Sequence, residues 1–416
     1  TADTMMVSNV GSAALSAVSL VDSINILLIQ AFSALAAGGA IVCAQYIGQK
    51  NYEKANMSAR QVLFIITAIS VAVSAFCLIF QKPLLRFIFG AVEADVMRAS
   101  ETYFFFTALS FPFIAAYDSA ASIFRAQENT KGPMTISMIS NVMNIGGNAI
   151  LIWVFHLGVA GAALSTLVSR IFCAVVVLYQ LRKDRQPIVV RDYLKIRPDW
   201  GMIKRILGLG IPSGVENSMF QLGKLAIQST VSTLGTTAIA AQAMTNILEN
   251  LNGIAAIGVG VGLMTIVGQC LGAGRKDEAV YYIKKLCVIA EFVIIASCLV
   301  VYILARPVTI LGGMEKESAA MCIHMITWIT IVKPLVWTMG FVPGYGLRAA
   351  GDVKFSMITS CCTMWACRFC LCVFLIRVLG FGPMGVWIGM FADWTVRGII
   401  FTWRFHSRKW LEHKVI

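Results

Sequence analysis

Seven acidic and five basic side chains of this chain fall within apolar runs of twenty or more residues. The acids are Asp3, Asp22, Asp118, Glu216, Glu249, Glu291 and Asp393, and the bases are Arg170, Lys224, Lys333, Arg368 and Arg397. In hydrocarbon each such charge costs about 2.5–3.5 kcal/mol on insertion scales unless it is paired or hydrated, so these groups are where chemistry is expected. The first half sets three of the acids against Arg170 alone, whereas the second half holds four acids and four bases. In the second half pairing accounts for much of this. Asp393 and Arg397 stand four apart in ADWTVRG, on one helical face, and Arg368 joins them from the preceding span as a structural ion pair. Lys333 precedes Pro334, where a broken helix frees carbonyls for an ammonium. Glu216 and Glu249 sit mid-span and either cap a polar cavity or bind Lys224 and Lys333. In the first half, Asn141, Asn144 and Asn148 are spaced i, i+3, i+7, with Thr166 one helix on. One helical face thus carries three carboxamides, which either glue helices together or, with Asp3, complete a cation site of hard oxygen ligands.

The elements that must hold these groups are membrane spans. The chain has 416 residues, 58% hydrophobic and only 13% charged, against about a quarter charged in a soluble protein. Apolar length and Gly, Pro and charge breaks predict helices near 13–47, 58–81, 98–124, 132–154, 159–181, 202–232, 236–271, 279–304, 318–347, 355–377 and 383–403. The chain also repeats itself. Residues 11–50 lie on 235–274 at a shift of 224, with Gly11 on Gly235, Gln45 on Gln269 and Gly48 on Gly272. FRAQENTKGPM, starting at Phe124, lies on LRAAGDVKFSM, starting at Leu347, and Gly158 and Gly161 fall on Gly382 and Gly385. Residues 1–8 then lie on Leu225 to Ser232, so the repeat predicts a first helix beginning about 25 residues before Thr1. The expected fold is an all-α polytopic membrane protein of two six-helix bundles, 1–190 and 191–416, related by a parallel pseudo-twofold repeat.

The net charge of +13 is distributed as membrane topology demands, not as a nucleic-acid surface. Of 34 Lys and Arg, 23 lie in the loops of one face and the tail, and six in the opposite loops. The rich face is cytoplasmic by the positive-inside rule. The twelve cysteines have no ligand partners at metal spacing, and the four histidines form no constellation with Cys or Ser. Enzyme chemistry, a cofactor and a nucleic-acid partner are therefore not expected.

Three segments resemble the multidrug and toxic compound extrusion (MATE) family, in its bacterial DinF-like and NorM-like branches. These are DTMMVSNVGSAALSAVSL (3–20), the paired loops RAQENTK and RAAGDVK, and GVWIGMFADWTVRG with RFHSRKW near the end. The resemblance covers essentially the whole chain. It implies two six-helix lobes around a central cavity, a bacterial cytoplasmic membrane, a monomer, and alternating-access antiport of organic cations against H+ or Na+. A lipid-linked or polysaccharide flippase of the same wider superfamily is the alternative. The resemblance further implies that Asp3 is the coupling carboxylate, with Asn144, Asn148 and Thr166 completing its cation site. Asn148 stands where the family has a second acid, which favours a proton over Na+ at these residues. No acid lies between Ser318 and Leu347, where NorM-like members carry one, so a second Na+ site of that kind is not expected. Asp22, Glu216 and Glu249 are the secondary coupling and substrate-cavity candidates.

Overall fold

The computed structural model describes residues 2–90, 92–183 and 186–416, and every regular element among them is helical. The chain divides into two compact units, Thr1–Gly214 and Val215–Ile416.

The first unit contains α1 (Ala2–Val7), α2 (Ser12–Gly48), α3 (Tyr52–Ile79), α4 (Gln81–Phe89), α5 (Ala94–Leu109), α6 (Phe111–Ala126), α7 (Lys131–Asn148) and α8 (Val159–Leu181), and ends within α9 (Trp200–Val231). The second contains the rest of α9, α10 (Thr236–Gly272), α11 (Lys276–Leu311), α12 (Lys316–Ala349), α13 (Val353–Cys362), α14 (Leu371–Arg377) and α15 (Met384–Ser407).

The repeat read from the sequence recurs in the helix boundaries. α2 and α10 are both 37 residues long, and their first and last residues stand 224 apart. A π-helical stretch interrupts the corresponding span of each unit, Ala149–Val154 after α7 and Thr363–Cys370 between α13 and α14. Gly158 and Gly382, matched in the repeat, both adopt left-handed φ angles of 61° and 66° at the turn into the last span of their unit, which glycine tolerates without strain. Gly161 and Gly385 follow, and each packs against the preceding span. A Cβ would meet Leu151 backbone at 3.1 Å in one and the Ile376 side chain at 2.9 Å in the other.

Two features depart from the predicted spans. The stretch expected as one helix over 98–124 breaks at Ser110, where Pro112 removes a backbone donor, and α5 and α6 meet at a bend of 41°. In the second unit the equivalent α12 stays continuous despite Pro334 and Pro343. α4 is an additional short helix; its Pro83 falls at a shift of 224 on Pro307, which α11 keeps within an unbroken helix. Among the described residues, eight helices, or nine counting the bent α5–α6 pair, are long and apolar enough to cross a membrane. α9 and α15 reach the length but carry more polar groups, among them Glu216 and Lys224 in one and Asp393 and Arg397 in the other.

The basic linker is strapped onto the first unit by carboxamides that imitate backbone pairing. Gln61 donates to the Arg197 carbonyl at 2.7 Å and accepts from the Asp199 amide at 3.0 Å. Asn56 accepts from the Val189 amide at 2.8 Å, and Gln127 from the Ile188 amide at 3.0 Å. Tyr193 donates to the Leu178 carbonyl, and burial pushes its phenol up to about 12. Asp199 then accepts from the Gly201 amide at 3.2 Å as α9 begins. With the linker held this way, the first unit extends past residue 190 to Gly214.

Candidate functional site

In the first unit Asp3, on α1, is 5% exposed, and its carboxylate is gripped by three neutral donors from three other helices. Asn148 Nδ2 on α7 reaches Oδ1 at 2.8 Å, while Tyr103 Oη on α5 and Thr166 Oγ1 on α8 lie 3.0 and 2.5 Å from Oδ2. Arg170, one turn beyond Thr166, instead donates to Ser110 Oγ at 2.6 Å, at the α5–α6 bend. It lies within electrostatic reach of Asp3, Asp22 and Asp118.

Tyr103 connects this carboxylate to a second one. Its hydroxyl is 3.0 Å from Asp22 Oδ1 as well as 3.0 Å from Asp3 Oδ2. A phenol has one proton to donate, so it satisfies one of the two acids at a time. Further toward the C-terminal end of α2, Ser33 donates to Asp118 at 2.8 Å. Two buried carboxamides add acceptors without donors. Asn148 Oδ1 accepts no hydrogen bond, and neither side-chain atom of Asn25, one turn along from Asp22, has a partner among the described residues.

The three asparagines do not act as one face. Asn148 is buried on Asp3, but Asn144 lies half-buried and accepts from Ser165 Oγ at 3.1 Å, and Asn141 is exposed. The structure therefore brings Asp3, Asn148, Thr166 and Asp22 together and turns Asn144 toward α8.

In the second unit each of Glu216, Glu249 and Asp393 has a base. Glu216 lies 3.3 Å from Arg348 and accepts from Ser356 Oγ at 3.3 Å. Lys224, one of the two bases expected as alternatives for Glu216 and Glu249, lies over the Phe220 ring, 4.8 Å from its centroid. Arg348 lies in the last turn of α12 and Ser356 on α13 after the chain reverses, a convergence that sequence spacing does not foretell. Glu249 on α10 binds Lys333 Nζ at 2.8 Å. Asp393, fully buried, lies 3.1 Å from Arg368 and 3.3 Å from Arg397. Gly389 lets this span approach, since a Cβ there would meet the Arg368 carbonyl at 2.8 Å. Among the described residues no group of three or more His, Cys, Asp or Glu is placed to hold a metal ion.

The sequence matches the family described as MatE over residues 1–150 and 212–374, three quarters of the chain in two blocks. The chain belongs to the MatE family. The transporter YisQ of Bacillus subtilis is 26% identical, over 99% of this chain and 90% of its own length. The probable multidrug resistance protein NorM of Thermotoga maritima is 23% identical, over 100% and 89%. The crystal structure of MATE in complex with MaL6 superposes with a TM-score of 0.88 at 20% identity, over 98% of this chain and 92% of that one, and shares its fold.

Within this MatE chain, Tyr103 is the site residue that sequence reading passes over. It stands in ETYFFFTAL, an aromatic run that reads as ordinary span packing. The one available signal is its hydroxyl, which a fully buried position must satisfy.

Proposed function

We propose that the protein is a secondary active efflux transporter of small organic cations, driven by protons entering in exchange and working by alternating access. The observation that carries this reading is the Asp3 carboxylate. It is buried in the membrane-spanning part of the first unit, and all its hydrogen-bond partners are neutral. Asn148 and Thr166 donate to this carboxylate, and Tyr103 shares its one proton between it and Asp22. Arg170 acts on Asp3 through the field while donating to Ser110, and a proton or a cationic passenger is the partner that meets the carboxylate directly. Asp22, sharing the Tyr103 hydroxyl, is the second acceptor within the same network.

Charged, Asp3 holds or shapes the place of the cation; protonated, it releases it. One proton for one monovalent cation is electroneutral, so each pH unit supplies about 1.4 kcal/mol, roughly a tenfold gradient. The donor set favours a proton over Na+. Among the described residues, two of the three side-chain contacts to Asp3 are made by O–H groups, the Tyr103 hydroxyl being shared with Asp22, and the third by an amide N–H. Met6, Met219, Phe220 and Met244 are half-buried, and polarisable or aromatic side chains of this kind suit substrates of varied shape. The protein works as a monomer in the bacterial cytoplasmic membrane.

The experiment is ethidium efflux from cells after a pH jump, with and without sodium, for the wild type and Asp3→Asn. Proton-driven efflux disappears in the variant while the protein still accumulates in the membrane. Efflux that persists in Asp3→Asn refutes the assignment, and efflux that follows sodium at constant pH refutes the proton.

A further inference from the structure

The ammonium of Lys333 is enclosed in the second unit by a set of groups that would suit a free cation. Nζ lies 2.8 Å from Glu249 Oε1, 3.3 Å from the Glu249 carbonyl and 2.5 Å from Asn252 Oδ1. An ammonium has three donors, and these three oxygens take them all. Two indole rings close the remaining sides, Trp337 at 5.3 Å and Trp394 at 5.8 Å from Nζ to the ring centroids. Gly253 leaves room beside the charge, since a Cβ there would stand 3.1 Å from Nζ. Lys333 is 1% exposed, and the Glu249 side chain is 13% exposed. An ordinary ion pair needs only the carboxylate; here a backbone carbonyl, a carboxamide and two π faces converge on one point as well.

We infer that this is a monovalent-cation cage whose resident ion is the protein's own ammonium. While Lys333 fills it, the second unit takes up no exchangeable cation, and all exchange is left to the first unit. The class of ligand the emptied cage accepts is a primary alkylammonium, which reproduces the Lys333 side chain beyond its Cβ. The inference does not depend on which ion drives efflux, because its test reads stability and not transport.

The test uses the full chain purified in detergent, with thermal unfolding followed for the wild type, Lys333→Ala and Lys333→Ala/Glu249→Gln. The probes are n-propylammonium chloride, choline chloride at equal ionic strength, and n-propanol. In Lys333→Ala the melting temperature falls, and propylammonium restores most of the loss, while choline and propanol do not. Adding Glu249→Gln abolishes the rescue, and the wild type responds to propylammonium no more than to choline. Equal rescue by propanol would mean that only a void had been filled and would overturn the inference. So would rescue that survives Glu249→Gln, a Glu249-dependent response in the wild type, or a Lys333→Ala protein that cannot be recovered folded even in propylammonium.

Discussion

Asn25 and Glu249 occupy the same place in the two copies of one 37-residue helix, 224 residues apart, and they have opposite surroundings. Asn25 is buried with neither side-chain atom bonded among the described residues, one turn from Asp22. Glu249 is locked onto Lys333. The contrast extends through both units. Asp3 falls on Ile227 at a shift of 224, Tyr103 on Met325 at the shift of 222 that aligns Pro112 with Pro334, Asn148 on Leu371 at 223 and Thr166 on Met390 at 224, so none of the first unit's carboxylate site is duplicated. Conversely Lys333, at the shift that aligns Pro334 with Pro112, falls on Phe111. One architecture has been given two electrostatic interiors. In the first, the hydrogen bonds to Asp3 come from neutral donors. In the second, Glu216, Glu249 and Asp393 each meet a base directly. The two units share a backbone plan, and a few polar positions give them different interiors.

The sharpest way to break this contrast is to remove one acid from each interior. Asp3→Asn keeps shape and hydrogen-bonding capacity but not the charge, so proton-driven efflux falls to the level of cells lacking the protein while membrane abundance holds. Asp393→Ala does the reverse kind of damage. It strands Arg368 and Arg397 without a counter-ion, which costs about 3–5 kcal/mol, and abundance and melting temperature collapse before transport can be compared. Tyr103→Phe has an intermediate effect. Losing the shared hydroxyl removes about 1–1.5 kcal/mol of stabilisation from the carboxylate pair, and efflux drops roughly tenfold in a dose-response assay with little loss of protein. The smallest effects separate the asparagines. Asn148→Ala removes one bond to Asp3, about 1 kcal/mol and roughly fivefold in efflux, whereas Asn144→Ala, which touches Ser165 instead, leaves efflux close to wild type.

Much of the fold could be read directly from the chain. The 224-residue echo between Gly11 and Gly235 reappears as two helices with matching ends, because the same small residues allow the same close packing. Local spacing also places Asp393 and Arg397 on one face, and their side chains lie 3.3 Å apart. What spacing along one helix does not reveal is which neighbouring helix a face meets. Asn144 and Asn148 differ by four residues, yet one turns to α8 and the other to α1. Glu216 finds Arg348 across 132 positions instead of the nearer Lys224. Tyr103 is hidden for another reason: among phenylalanines its apolar ring dominates the pattern, and only the tertiary packing discloses where its hydroxyl goes. The bend at Ser110 is hidden too, since Pro112 breaks its span and Pro334 leaves the equivalent one continuous.

If exchange resides in the first unit, the acid of α10 takes no part in it. The most direct measurement is ethidium transport into or out of proteoliposomes under an imposed pH difference, comparing Asp3→Asn with Lys333→Met/Glu249→Gln. The double variant removes an ion pair as a whole, so the protein keeps its fold without an orphaned charge. The account predicts no ΔpH-driven transport in the first and near-normal transport in the second. Active transport by Asp3→Asn, or loss of transport in a folded Lys333→Met/Glu249→Gln protein, would contradict it.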